Sequence, residues 1–166
     1  MKKTALFIFM LITSMMYSQT NSIQIINFSP YNVKFTLQGN DKVAPTIDCV
    51  PWVYNQDPIA LSPGQSITYS QYNSTHLTAL PINAWKVYAP DGTHITYDLT
   101  TGMSVPTAIS GTTSWALINI FTPAGEQLQL GRSCTGNDGP YTTPPGSSIT
   151  ATWNTLNGNV LVVITQ

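Results

Sequence analysis

Apolar and polar residues alternate along much of the chain. The segments with this period of two are 33–37, 67–70, 93–98 and 127–130. The alternation predicts strands that turn one face to a core and the other to water. Segments 115–121 and 160–164 are apolar at nearly every position. That composition predicts strands at the centre of a sheet or covered on both faces.

Proline-containing turns separate the predicted strands. Pro30, Pro90 and Pro123 each lie between two strand-like segments, and Gly92 and Gly125 follow the second and third of these prolines. A strand, a proline turn and a second strand together predict a β-hairpin. About eight strands with no helical units between them indicate an all-β fold. We expect a single antiparallel β-sandwich over residues 19–166, with a barrel as the second choice.

A second motif occurs twice. Residues 62–68 resemble residues 144–150, since both contain Pro-Gly followed by Ser-Ile-Thr. Together with the proline turns, this predicts two pseudo-repeats, 22–73 and 115–154. The alternative is that a β-sandwich has used the same turn chemistry twice by chance.

The first 18 residues have the three-part layout of a secretory signal peptide. Lys2 and Lys3 precede an apolar run over 5–12, and a stretch of small and polar residues follows, ending at Ser18. The run is too short to cross a membrane, which takes about 20 residues. We therefore expect a secreted or periplasmic protein with no transmembrane segment. A short buried helix is the alternative.

Composition and charge narrow the function. The 166 residues carry a formal net charge of −1, and only 8% are charged. A nucleic-acid-binding protein would carry a basic patch, so we expect no nucleic-acid partner. Cys49 and Cys134 are the two cysteines. In an exported protein an even number of cysteines predicts a disulfide, here Cys49–Cys134.

Groups that could support catalysis are sparse. The chain has two histidines, His76 and His94, and a single glutamate, Glu126. It contains no Gly-x-Ser-x-Gly nucleophile motif and no phosphate-binding loop. The Asn-Asp segments at 39–41 and 136–139 predict turns rather than calcium sites. We expect His94 to be an exposed strand residue, and we expect no enzymatic activity, metal or cofactor.

Two loops carry the candidate site. If the disulfide forms, it brings the segment after Cys49 close to the segment around Cys134. The candidate ligand-binding residues are Trp52, Tyr54, Asn55, Arg132, Asn137, Asp138 and Tyr141. Aromatic faces beside amide and charged groups suit a sugar ring or a protein surface. The alternative is that Trp52 and Tyr54 close one end of the core.

These features predict a secreted, non-enzymatic binding module whose ligand is a glycan or a protein surface. Two alternatives remain open. The first is a cell-surface structural or assembly subunit that forms homo-oligomers through its apolar terminal strands, 23–26 and 160–165. The second is a secreted membrane-active toxin.

Overall fold

Eleven strands in two sheets make up about half of the described chain. The computed structural model describes residues 22–41, 49–89, 91–131 and 141–166. The strands are β1 (Ile23–Asn27), β2 (Val33–Asp41), β3 (Trp52–Tyr54), β4 (Ile59–Leu61), β5 (Ser66–Tyr69), β6 (Ala84–Tyr88), β7 (His94–Asp98), β8 (Thr113–Phe121), β9 (Gln127–Gly131), β10 (Thr150–Leu156) and β11 (Asn159–Thr165). Two 3-10 helices, Tyr72–Leu77 and Leu99–Thr101, and a four-residue helix α1 (Thr107–Ser110) lie between strands. The predicted all-β sandwich is confirmed, and the sheets do not close into a barrel.

The two sheets differ in width. The smaller sheet has the order β10-β11-β1-β5. The larger has the order β7-β6-β3-β2-β8-β9, and β4 also pairs with β2. Strands β1 and β11 run parallel, and the other pairs are antiparallel. The strand count exceeds the predicted eight partly because β3 and β4 have three residues each, too few to show an alternating pattern.

The core lies between the sheets and follows the predicted alternation. In β2, Val33, Phe35 and Leu37 are buried, while Lys34 is exposed. The residues of both sheets that point inward belong to one hydrophobic cluster. Its largest fully buried side chains are Trp85, Tyr69 and Phe35. Strand β8, predicted to be central, lies between β2 and β9.

A buried aromatic cluster supports the larger sheet from inside. The ring of Tyr72 lies 5.0 Å from that of Trp85 and 4.9 Å from that of Trp115, centroid to centroid, both edge-on. The indole nitrogen of Trp85 donates to the carbonyl oxygen of Tyr72 and to the hydroxyl of Thr75, at 3.0 Å each. Tyr72 lies against Gly39 of β2, which has no side chain to exclude its hydroxyl. Residues 39–41 all belong to β2, so the prediction of a turn over 39–41 is wrong.

The three proline motifs do not build the same structure. Strands β6 and β7, and likewise β8 and β9, pair as the predicted hairpins; Pro90 itself lies outside the described residues. The motif at Pro30 does not form a hairpin, because β1 belongs to the smaller sheet and β2 to the larger. That prediction is wrong. The motif lacks the glycine that follows the other two prolines.

Asn27 holds the corner between β1 and β2. Its side-chain amide donates to the carbonyl oxygens of Tyr31 (2.8 Å) and Leu61 (3.0 Å). The side-chain oxygen of Asn27 accepts from the backbone amide of Ser29 (3.0 Å) and from the Ser29 hydroxyl (2.7 Å). Asn27 and Ser29 are buried. The corner is therefore fixed by side-chain hydrogen bonds in place of the ladder of a hairpin.

The terminal strands are inner strands of the smaller sheet. β1 pairs with β11 and β5, and β11 pairs with β1 and β10. Neither strand offers an unpaired edge to a second molecule. The assembly mode that the sequence suggested, in which these strands add to a neighbour's sheet, therefore has no edge available in the folded chain.

The proposed pseudo-repeats match the topology only in part. Strands β1 and β8 precede the turns at Pro30 and Pro123, yet they lie in different sheets. Strands β5 and β10 follow the two Pro-Gly motifs, and both are edge strands of the smaller sheet. An internal duplication stays a hypothesis. The predicted signal peptide over 1–18 lies outside the described residues.

Candidate functional site

Trp52 and Tyr54 lie on a strand rather than in a loop. They are the first and last residues of β3, which pairs with β2 on one side and β6 on the other. Between them, Val53 points inward and is fully buried, while the two aromatic residues are half-buried on the outer face of the larger sheet. The prediction of a loop position is therefore wrong. The alternative, that the pair closes one end of the core, is wrong as well.

Trp52 belongs to a row of rings that crosses three strands. It lies opposite Tyr88 of β6, and Tyr88 lies opposite His94 of β7. The ring centroids of Trp52 and Tyr88 are 5.2 Å apart, with their planes tilted by 43°. Those of Tyr88 and His94 are 4.6 Å apart, tilted by 49°. We call Trp52, Tyr88 and His94 the aromatic row.

A second, more polar row runs beside the first. Tyr54, Lys86 and Thr96 lie opposite one another on β3, β6 and β7. On each strand the polar residue is two positions from the member of the aromatic row, about 7 Å away. The two rows together place ring faces, a phenol, an ammonium and a hydroxyl on one side of the sheet.

Polar side chains of β2 border these rows. Asn40 lies opposite Trp52, and Gln38 lies opposite Tyr54. The side-chain amide of Gln38 donates to the side-chain oxygen of Asn40 at 2.8 Å. Amide groups therefore adjoin the ring faces on the β2 side.

Asn55, another predicted site residue, does not join the rows. Asn55 is buried. Its side-chain oxygen accepts from the backbone amide of Leu37 at 2.6 Å, and its amide donates to the carbonyl oxygen of Asp57 at 2.8 Å. Asn55 therefore anchors the chain after β3 to β2. Because its buried side chain already has partners, Asn55 is not part of the proposed site.

Tyr141 lies beside the other sheet. Its side chain is 41% exposed. Its carbonyl oxygen accepts from the backbone amide of Trp153 on edge strand β10, at 2.7 Å. Arg132, Asn137 and Asp138 lie outside the described residues. The common site of Tyr141 with these three residues therefore stays a prediction.

Cys49 is buried three positions before β3. The described residues contain no free cysteine. Cys134, its expected partner, lies outside them, so the disulfide stays a prediction.

Sequence reasoning missed Tyr88 and Lys86 as members of the site. It placed His94 correctly, as an exposed residue on a strand. The signal that identifies all three is the register of the β6–β7 hairpin, in which the turn sets Tyr88 opposite His94. Lys86 then shares a face with Tyr88 because alternate strand residues point to the same side.

The carboxyl groups close to these rows are held by their own loops. Asp91, in the β6–β7 turn, accepts from the backbone amide of Thr93 at 2.9 Å and from its hydroxyl at 2.7 Å. Asp98, at the end of β7, accepts from the amide and hydroxyl of Thr100 at 2.9 and 2.6 Å. These hydrogen bonds lower the pKa of both carboxyl groups below the ordinary aspartate value. Both are therefore ionised at neutral pH, the opposite of what a general acid needs.

The described chain shows neither a metal cluster nor a membrane-spanning helix. Among residues 22–41, 49–89, 91–131 and 141–166, no three His, Cys, Asp or Glu side chains come together as metal ligands. Over the same residues, no helix has the length and hydrophobicity to cross a bilayer.

Comparisons of the chain with protein-family models, with curated proteins and with solved structures found no match.

Proposed function

We propose that this protein is an exported, non-enzymatic glycan-binding module whose ligand lies on the aromatic row. The observation that carries the proposal is the contact between the half-buried rings of Trp52 and Tyr88, 5.2 Å apart on the outer face of the sheet. A sugar presents C–H groups on the faces of its ring and hydroxyls around its rim. The aromatic row supplies faces for the former, and Lys86 and Thr96 supply donors and acceptors for the latter.

The backbone beneath the row supports this use. Trp52, Tyr88 and His94 are fixed by strand pairing, and Val53 and Val87 anchor β3 and β6 in the core from the opposite face. A ligand would therefore meet rings on an ordered backbone and would lose little affinity to the ordering of a loop. The planes of successive rings are tilted by 43° and 49°. This tilt suits a single, twisted glycan chain better than the flat surface of a crystalline polysaccharide.

The proposal includes the Cys49–Cys134 disulfide. In the chain-entropy model a bridge closing a loop of this size stabilises the fold by about 4–5 kcal/mol. Cys49 lies shortly before Trp52, so the bridge would also restrain the chain that enters β3. Mass spectrometry of the exported protein, with and without reduction, tests for it.

The direct test is a glycan array followed by calorimetric titration with the best ligand. We expect Trp52→Ala and Tyr88→Ala each to weaken binding by about tenfold, which corresponds to about 1.4 kcal/mol of lost ring contact. Tyr141→Ala is the matched control, since it removes an exposed aromatic side chain beside the other sheet. Binding that depends on Tyr141 and not on Trp52 would refute the aromatic row as the site.

The two alternatives lack comparable support. Assembly through β1 and β11 has no unpaired strand edge, as shown above. No feature of the described residues favours a membrane-active toxin over a glycan-binding module. Release of dye from liposomes would support the membrane-active alternative. If no dye is released, the present proposal is unchanged.

A further inference from the structure

A groove lies at the far end of the same outer face, between two proline turns. Pro30, Tyr31 and Lys34 line it from the β1–β2 corner and the start of β2. Phe121, Thr122 and Pro123 line it from the end of β8 and the following turn. Its volume is about 670 Å³, within the range of about 300–1,000 Å³ that is usual for small-molecule sites.

The antiparallel pairing of β2 with β8 creates the groove. Lys34 lies directly opposite Phe121. The corner before β2 and the turn after β8 therefore extend beyond the sheet side by side, as two facing walls. These are the Pro30 and Pro123 motifs of the sequence, and the aromatic row does not involve either of them.

Hydrogen bonds fix both walls. On one side, the carbonyl oxygen of Tyr31 accepts from the Asn27 side chain at 2.8 Å. On the other side, the amide of Thr122 donates to the carbonyl oxygen of Glu126, and the amide of Gly125 donates to that of Thr122, both at 3.0 Å. The groove is therefore formed before any ligand arrives, which reduces the cost of binding.

The charge in the groove is positive and uncompensated. Lys34 is exposed, and within the described residues its ammonium has no hydrogen-bond or ion-pair partner. Glu126, three residues after Pro123 along the chain, accepts from the backbone amide of Ser148 at 3.0 Å and from the Ser148 and Thr122 hydroxyls. Within the described residues, no hydrogen bond or ion pair joins this carboxylate to Lys34.

We propose that this groove is a second binding site, which takes a sugar that carries a carboxylate. Tyr31 and Phe121, with the apolar rings of the two prolines, provide surfaces for the sugar ring. Lys34 provides the charge that distinguishes a uronic acid from the corresponding neutral sugar. The site does not depend on the aromatic row, because the two share no residue.

The test uses three ligands that differ at one carbon: the methyl glycosides of glucuronic acid, of its methyl ester and of glucose. Amide chemical-shift titrations of the mature protein follow Tyr31, Lys34 and Phe121. We expect the acid to bind about 1.5- to fivefold more tightly than the ester or glucose, the range for an exposed ion pair. Added salt should reduce the difference.

Lys34→Gln should abolish this preference and leave the affinity for glucose unchanged. Lys34→Arg, which keeps the positive charge at the same position, is the matched control and should preserve the preference. Equal affinity for the three ligands, a preference that survives Lys34→Gln, or shifts absent from the groove would overturn the proposal. Loss of glycan binding in Trp52→Ala, with groove shifts unchanged, would separate this site from the aromatic row.

Discussion

Replacing Gly39 with alanine tests whether the aromatic cluster beneath the larger sheet is rigidly packed. Gly39 is buried in β2, and its backbone does not have a positive φ. Alanine is normally favoured over glycine in a strand by about 0.5–1 kcal/mol, because glycine loses more backbone entropy on folding. From the backbone alone, Gly39→Ala would therefore stabilise the protein.

Packing predicts the opposite sign. A Cβ added at Gly39 would lie 1.8 Å from the hydroxyl oxygen of Tyr72 and 2.9 Å from its Cζ atom. Tyr72 is buried between Trp85 and Trp115, so its ring has little room to withdraw. Overpacking of this kind costs about 1–3 kcal/mol. After the backbone gain is offset, we expect Gly39→Ala to lower the free energy of unfolding by about 1–2 kcal/mol.

A double-mutant cycle with Tyr72→Phe measures the clash itself. Tyr72→Phe alone loses the hydrogen bond between the hydroxyl and Thr113, worth about 0.5–1.5 kcal/mol. In the double variant the closest contact of the new Cβ is the ring carbon at 2.9 Å. We therefore expect a favourable coupling of about 1 kcal/mol or more between the two changes.

The assay is urea unfolding, followed by tryptophan fluorescence and circular dichroism. Changes in midpoint at constant slope give the differences in free energy. The reasoning is refuted if Gly39→Ala is as stable as the native protein. It is refuted equally if the single changes add to within about 0.5 kcal/mol.

Further substitutions test three other parts of the fold. Gly131→Ala should lower the free energy of unfolding by about 3 kcal/mol or more in urea unfolding, since φ is 122° and an added Cβ would lie 2.1 Å from a backbone oxygen of β8. Gly125→Ala is the control, because its φ is also positive but an added Cβ would have nothing within 4 Å. It should lower the free energy of unfolding by only about 1–2 kcal/mol. Asn27→Ala should cost about 2–4 kcal/mol in the same assay, because it leaves buried backbone groups without partners; a cost below about 1 kcal/mol would contradict its role at the corner. Ser148 lowers the pKa of Glu126, so the carboxylate stabilises the fold above its unfolded pKa and loses this effect as the pH falls through the folded value. The stability difference between native protein and Glu126→Gln should therefore shrink between pH 7 and pH 3, and an unchanged difference would contradict it.

The architecture could be predicted from the sequence because the strands of the core show their period. The buried positions of β2 are the apolar members of its alternation, and β8 and β11 are central as their apolar runs predicted. No local sequence pattern predicts the parallel pairing of β1 with β11. Strand pairing between the two ends of a chain depends on which strands meet in three dimensions, and no turn specifies it.

The candidate site was harder to predict because it depends on register. Trp52 and Tyr54 were identified as site residues, but β3 has only three residues, too few for its alternation to be recognised. Asn55, which follows β3 directly, was therefore assigned to the site although it is buried. The contact of Trp52 with Tyr88 depends on the pairing of β3 with β6, which are separated by β4, β5 and a 3-10 helix along the chain. Similarly, the motif at Pro30 looked like a hairpin because its strands fit the pattern. The hydrogen bonds of Asn27 that make it a corner become visible only in the folded protein.

Folding alone does not account for the aromatic residues on the outer face. The inward positions of β3 and β6 are filled by Val53, Trp85 and Val87, and these complete the core. Trp52 and Tyr88 lie at outward positions, where their cross-strand contact contributes only about 0.2–1 kcal/mol to the sheet. A cluster of large apolar side chains facing solvent usually marks a binding surface. If the row binds a glycan as proposed, replacing its rings with threonine should remove binding while leaving the fold intact.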